Sequence, residues 1–323
     1  MSQTPRQFVK VFAAVALPVA VLFVVIRILG SWALSASCDP SGYHPGVFMA
    51  SCQNPYYVDY EHGAFFYQLE PQAIRNLRAA DVLIMGSSRP QFAFSTDATA
   101  NYFAVNRWRY FLFGFAYEQQ SAFPEILMHR LNLHPKLLII DADPFFSEQL
   151  NGPAENVVTD DVRFSYRLKQ IFQGFHARLC VAVHALCAPK YRTLYRSSSD
   201  GRWIWLHSFS EDVSLPISMP VPIGQYQMDK AVETGRRFLA DVRLPKACVI
   251  LTGVPTRTNA EQSAAILSRA LGLPDVQPQI SGLTTLDGEH LNRESATRWS
   301  QAFFKAADTA IRHCLDSYPA AKR

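Results

Sequence analysis

The sequence predicts an α/β fold of three layers, a central parallel sheet covered by helices on both faces, preceded by one N-terminal transmembrane helix. Three observations carry that expectation. Short apolar runs closed by small or turn-forming residues recur at 82–86, 137–141 and 248–252, the pattern of strands buried on both faces. Between them lie stretches with apolar residues at helical spacing, in 118–131, 228–242 and 293–315; such alternation gives parallel strands joined by right-handed crossovers. The third is residues 11–26, which carry no charge and are almost wholly apolar.

A chain of 323 residues with 49% hydrophobic content can build one sizeable domain with an insertion. Its 31 basic residues are scattered among 27 acidic ones for a net charge of +4, so a nucleic-acid footprint is excluded. No internal repeat or low-complexity tract interrupts it.

Taken in order, Arg6 and Lys10 precede the first apolar run, whose character continues past Arg27 to about Ala36. That length spans a bilayer. The positive-inside rule then leaves the N-terminus in the cytoplasm and everything after residue 36 outside, in the periplasm of a Gram-negative cell; Arg27 snorkels to the far interface. The rival is a cleaved signal peptide, since Ala33-Leu34-Ser35 reads as a small-x-small cleavage site. Both export the domain. The expected organisation is an anchor over 1–36, a juxtamembrane segment over 37–75, and an α/β domain over 76–323 with a helical insertion at about 150–227.

Export changes how cysteines read. Cys38 and Cys52 bracket a loop with Pro40, Gly42, Pro45 and Gly46, and the spacing leaves open whether they form a disulfide. Cys180 and Cys187 are expected on one helix, too far apart to bridge within it. Cys248 and Cys314 read as small buried hydrophobes. No spacing of Cys or His suits a zinc site.

The aromatic run of Tyr56, Tyr57, Tyr60, Phe65, Phe66 and Tyr67 suits either a covered sheet edge or a bilayer interface, and His62 within it reads as structural. A second strand is expected to end near Ala104-Val105-Asn106, and a third covers 134–146. In the insertion, Phe164, Leu168, Ile171, Phe172, Phe175 and Leu179 share one helical face, with Arg163, Arg167, Lys169 and Arg178 around it. That helix is expected to pack on the domain, the rival being a basic side laid on an anionic membrane. Trp203 and Trp205 suit packing more than a sugar-binding groove. A fourth strand lies in 246–256, Asn259 caps a helix running to Leu271, and 293–315 closes the fold.

The chemistry concentrates at two places. Gly86-Ser87-Ser88 follows the first buried strand, so Ser88 stands at a strand tip after a glycine that lets the chain turn sharply. Asp287 and His290 stand three apart, just before the last helix, close enough for the carboxylate to hold the imidazole. A serine hydroxyl is a poor nucleophile until a base takes its proton, and histidine suits that role near neutral pH. In the bland alternative Ser88 only caps a helix and His290 is a surface residue.

Gly86-Ser87-Ser88 resembles the first block of the SGNH/GDSL hydrolases, and Asp287-x-x-His290 resembles their last. The branch it most resembles is the membrane-anchored, DltD-like one, in which Gly-Ser-Ser replaces Gly-Asp-Ser. The resemblance implies a three-layer SGNH-like domain in which Ser88 is the nucleophile, His290 the base and Asp287 the orienting acid. It further implies an oxyanion hole from the backbone of Ser88 and from Gly114, at the place of the second block. The asparagine of the third block is missing, with Asp143 near its place; an ionised carboxylate cannot donate, and Asn106 is the substitute considered.

Two functions then compete. One is an exported, membrane-anchored serine esterase or O-acyltransferase acting, without metal or cofactor, on ester groups of an envelope glycan. Relatives of that kind imply a multi-span membrane O-acyltransferase as partner. The other is a catalytically inactive SGNH-like scaffold or binding subunit of an envelope polysaccharide assembly.

Overall fold

The computed structural model describes residues 37–316 apart from 56, 118, 143–144, 184–186, 188–189, 206–212, 218–223 and 256–259, and of the N-terminal segment residues 9, 12–22, 24 and 25. Its centre is a parallel sheet of β3 (Val82–Gly86), β4 (Tyr110–Gly114), β5 (Leu137–Asp141) and β9 (Val249–Thr252), in the order β4-β3-β5-β9. The register sets Gly86 beside Gly114 and Ile84 beside Ile139.

Each strand is buried throughout because its alternate side chains feed two cores. Val82, Ile84, Leu112, Ile139 and Ile250 face one way. There they meet α3 (Ser88–Phe94), α4 (Asp97–Asn106) and α10 (Arg293–Asp316) through Phe94, Phe103, Trp299 and Phe303. Leu83, Met85, Phe113, Ile140 and Leu251 face the other way. That side is covered by α1 (Glu61–Phe66), α2 (Pro71–Arg78), α5 (Ala122–Leu131), α8 (Gln225–Val242) and α9 (Ala260–Leu271). The mixed α/β architecture with helices on both faces of a parallel sheet agrees with the expectation. Among the described residues no helix is long and apolar enough to cross a membrane; much of the span read from the sequence, residues 11, 23 and 26–36, lies outside the described residues.

Several expectations are corrected. Residues 104–106 end α4 rather than a strand, and the second strand of the sheet begins only at Tyr110. The stretch read as juxtamembrane is part of the domain: β1 (Val47–Cys52) pairs antiparallel with β6 (Thr193–Ser197) from the expected insertion. With β2 (Val58–Asp59) and β7 (Trp203–Trp205) they make a sheet ordered β2-β1-β6-β7. Strands this short need partners for their backbone groups, and these lie about 140 residues apart in sequence. The insertion also supplies α6 (Gly152–Thr159), α7 (Arg163–Ala182) and β8 (Leu215–Pro216), which pairs with β10 (Thr284–Thr285).

The hairpin between β6 and β7 closes the edge of the parallel sheet. The Asp200 carbonyl accepts from the Leu112 amide at 2.8 Å. Gly201 lies so close that a Cβ there would sit 2.4 Å from the Leu112 carbonyl oxygen. An edge strand is thereby covered rather than left to pair with another chain.

All six cysteines form disulfides. Cys38–Cys52 closes the loop whose pairing the spacing left open. Cys180–Cys187 forms because α7 ends at Ala182, so that Cys187 is not on the helix, and the two Cα atoms lie 5.5 Å apart. Cys248, in a 3-10 turn before β9, and Cys314, in α10, were expected to be simple core residues and instead bridge the sheet to the last helix.

Candidate active site

The site is built at the carboxyl end of β3. Gly86 has φ +146°, a conformation closed to other residues, and a Cβ there would meet Pro90 at 2.5 Å. This turn delivers the chain straight into α3. Ser87 is the N-cap, its hydroxyl accepting from the Arg89 amide, so capping does not occupy Ser88. The Ser88 hydroxyl instead lies 2.8 Å from His290 Nε2.

The other half comes from the turn between β10 and α10. Leu286 donates its amide to the His290 carbonyl at 2.9 Å, and the Gly288 amide donates to Thr285 Oγ1 at 2.9 Å. Gly288 takes φ +92°, which a side chain would oppose. Asp287 and His290 thus meet across a tight loop rather than along a helical turn. Asp287 Oδ2 lies 2.7 Å from His290 Nδ1, while Oδ1 accepts the amides of Glu289 and His290.

With Nδ1 committed to the carboxylate, Nε2 is left to accept the serine proton. Burial alone would raise the Asp287 carboxyl; the His290 ring and the two amides outweigh it and hold the pKa at about 2. Asp287 is therefore anionic throughout the range in which an imidazole titrates. Phe92 packs against the His290 ring, tilted, at 4.6 Å between centroids, and Trp203 packs edge-on against Phe92. Asn292 anchors the loop, donating to Val213, Ser214 and Thr284 and accepting the Ser295 amide at the start of α10.

Neither Phe92 nor Asn292 was singled out from the sequence. Phe92 lies four residues after Ser88, so placing Ser88 in a first helical turn would have shown that both side chains share a face. Asn292 carries the usual N-cap signal, an Asn three residues before Ser295.

Gly114 sits beside Gly86 in the register, and the nucleophile turn rests on it. A Cβ at Gly114 would stand 2.8 Å from the Ser87 carbonyl oxygen and 2.8 Å from Gln91 Cγ, while the Gly114 carbonyl accepts from Gln91 Nε2 at 2.9 Å. We expect Gly114→Ala to push this turn aside and reduce the rate of covalent labelling at Ser88 about a hundredfold, as a misplacement near 1 Å does. Single-turnover labelling of folded protein measures this, and an unchanged rate would show that Gly114 is interchangeable.

Asn106 does not reach the site. It ends α4, donating to the Tyr102 carbonyl and accepting from Arg312. It precedes β4, at the pole opposite Gly114, about 13 Å away along the strand alone. Its place at a strand tip followed from misassigning the end of a helix. Asp143 lies outside the described residues, as does Asn259.

Asp59, Glu61 and His62 also gather within metal-ligand reach of one another, yet protein groups take their oxygens. Asp59 holds His62 at 2.8 Å and accepts from Tyr166 at 3.0 Å. Glu61 accepts from Arg196, Trp203 and the Ala116 amide. His62 is fully buried among Phe115 and Phe123, in the structural role expected. Tyr57, Tyr60 and Phe65 are likewise core residues, not rings at a bilayer interface. Trp203 is buried too, so packing prevails over sugar binding.

No family model, curated protein or solved structure matches the chain. Its function therefore has to be read from the chemistry of the site. What that site can do is present a hydroxyl to a carbonyl carbon while a neighbouring imidazole takes the proton.

Proposed function

We propose that the protein is an exported, membrane-anchored serine acyl-transfer enzyme, an esterase or O-acyltransferase, acting on ester groups of a cell-envelope glycan. The observation that carries the reading is the chain of contacts Ser88–His290–Asp287, at 2.8 and 2.7 Å, assembled across 202 residues of sequence. The order of these residues, with Gly86-Ser87-Ser88 after the first strand of the parallel sheet and Asp287-x-x-His290 before the last helix, supports an SGNH-like domain of the membrane-anchored, DltD-like kind.

In this reading the Ser88 oxygen attacks the ester carbonyl as His290 Nε2 takes its proton. The oxyanion is met by the backbone N–H groups of Ser88 and Gly114, each such donor commonly worth about 3 kcal/mol in the transition state. The imidazolium, steadied by Asp287, returns the proton to the departing alcohol and leaves an acyl group on Ser88. Water or a sugar hydroxyl then attacks the acyl carbon, deprotonated in turn by His290, and the bond to Ser88 breaks as the imidazolium returns the proton to the serine oxygen. Three disulfides suit an oxidising compartment, and the uncharged apolar residues 11–26 suit an anchor. A multi-span membrane O-acyltransferase is the partner this reading calls for.

A fluorophosphonate probe tests it. Labelling of the parent, and loss of labelling in Ser88→Ala, is the expected result. Folded protein that takes no label would move the reading to an inactive scaffold subunit of an envelope assembly.

A further inference from the structure

An amphipathic helix in a water-soluble domain docks by its apolar face, and α7 leaves most of that face outside. Its buried residues are Tyr166, Gln173, His176 and Cys180, at i, i+7, i+10 and i+14. Of the apolar face Phe172 packs on the core, beside the Tyr57 ring; the rest of the docking is polar, the Gln173 amide exchanging hydrogen bonds with both backbone groups of Met49 and Tyr166 donating to Asp59. Lys169 and Gln170 donate to the carbonyls of Asp59 and Leu69. The apolar line Phe164, Leu168 and Ile171 points the other way, 74%, 50% and 68% exposed.

Two features say what covers that line. Arg163 and Arg167 run beside it and, with Arg130, Tyr67 and Gln170, line an open cleft of ≈ 450 Å³, a cationic site with room for a phosphate group. At its far end α7 is closed by Cys180–Cys187, and the chain after it meets the end of the N-terminal segment, the Ser37 carbonyl accepting the amides of Lys190 and Tyr191. The residues leading to Ser37 include Val15, Leu17 and Leu22, which are exposed as well. The chain that carries this second exposed apolar stretch therefore enters the domain beside the segment that follows α7.

We propose that α7 is an interfacial helix that seats the domain on an anionic bilayer, with Phe164, Leu168 and Ile171 among the acyl chains and Arg163, Arg167 and Arg130 at lipid phosphates. Lying flat, its 20 residues would extend about 30 Å along the surface, fixing the domain's orientation about its anchor. This proposal rests on the anchored reading.

The test uses the full chain carrying Ile171→Trp, reconstituted in vesicles of phosphatidylglycerol with phosphatidylethanolamine, and lipids brominated along the acyl chain as quenchers. The fluorescence added by the introduced indole is expected to be quenched in these vesicles and much less in phosphatidylcholine alone. Replacing Arg163 and Arg167 together by glutamine is expected to lower the ratio of seated to unseated helix about thirtyfold, near fivefold for each charge. A chain that fails to float with vesicles refutes the anchor itself. One that floats with the introduced indole unquenched, or with that indole buried against another copy or another protein, overturns the seating of α7 and leaves the anchor standing. A double arginine variant quenched like its parent overturns the phosphate contact.

Discussion

His290→Ala is expected to abolish ester turnover, by about 10⁴-fold or more, while shifting the melting temperature by no more than about 3 °C. The asymmetry follows from where the ring sits. It touches both the Ser88 hydroxyl and the Asp287 carboxylate, so removing it leaves the nucleophile without a base. Its structural contacts are few by comparison: a tilted ring contact with Phe92, which alanine loses, and its own backbone in the Thr285–Leu291 turn, which alanine keeps. Thermal melts read beside turnover of an activated ester decide the matter. A fall in melting temperature of tens of degrees would recast His290 as a structural residue and remove the base from the proposed chemistry.

The second large effect concerns the fold that presents the site. Arg196 is wholly buried, paired with Glu61 at 2.8 Å, and donates to the Leu112 carbonyl. Its guanidinium stacks on Phe65 and Phe115. Burial pulls its pKa below the ordinary value, with Glu61 pulling it back. Arg196→Met is expected to cost about 3–5 kcal/mol, because Glu61 would remain buried with an uncompensated charge. The denaturant midpoint reports this loss.

Neutralising the acid as well, in Arg196→Met with Glu61→Gln, is expected to recover part of it, since no uncompensated charge stays buried; the single amide oxygen keeps one of the two donors that Oε2 and Oε1 accept separately, Trp203 and the Ala116 amide. A single variant within about 1 kcal/mol of the parent would show that this pair does not join the antiparallel sheet to the edge of the parallel one. Leu112 and Ala116 flank Gly114, so the same variant is expected to slow labelling at Ser88 even at temperatures where the protein is folded.

Much of this was legible in the chain. The runs 82–86, 137–141 and 248–252 read as strands because a strand buried on both faces has no polar positions to spare, and strands lie there, though the second of them ends at Asp141 rather than running on to Phe146. Ser88, His290 and Asp287 were legible as candidates because the chemistry proposed needs particular atoms at strand tips and in turns, which glycines such as Gly86 mark. The turn of α7 was not. Its 3.6-residue apolar period is real, but periodicity says only that two faces differ, not which of them the domain takes. Gln173 decided that by fitting the backbone of Met49.

By itself, then, the sequence determined the layers, three of the four strands of the parallel sheet and a serine, a histidine and an aspartate of the types acyl transfer uses, since local spacing and residue chemistry are short-range properties. Only the tertiary structure decided that Ser88 meets His290, that Asn106 falls at the wrong pole, that Cys248 joins Cys314, and that β1 pairs with β6. Each of those depends on how distant segments share one core, and pairings across a hundred residues are selected by the whole packing rather than by any stretch of it.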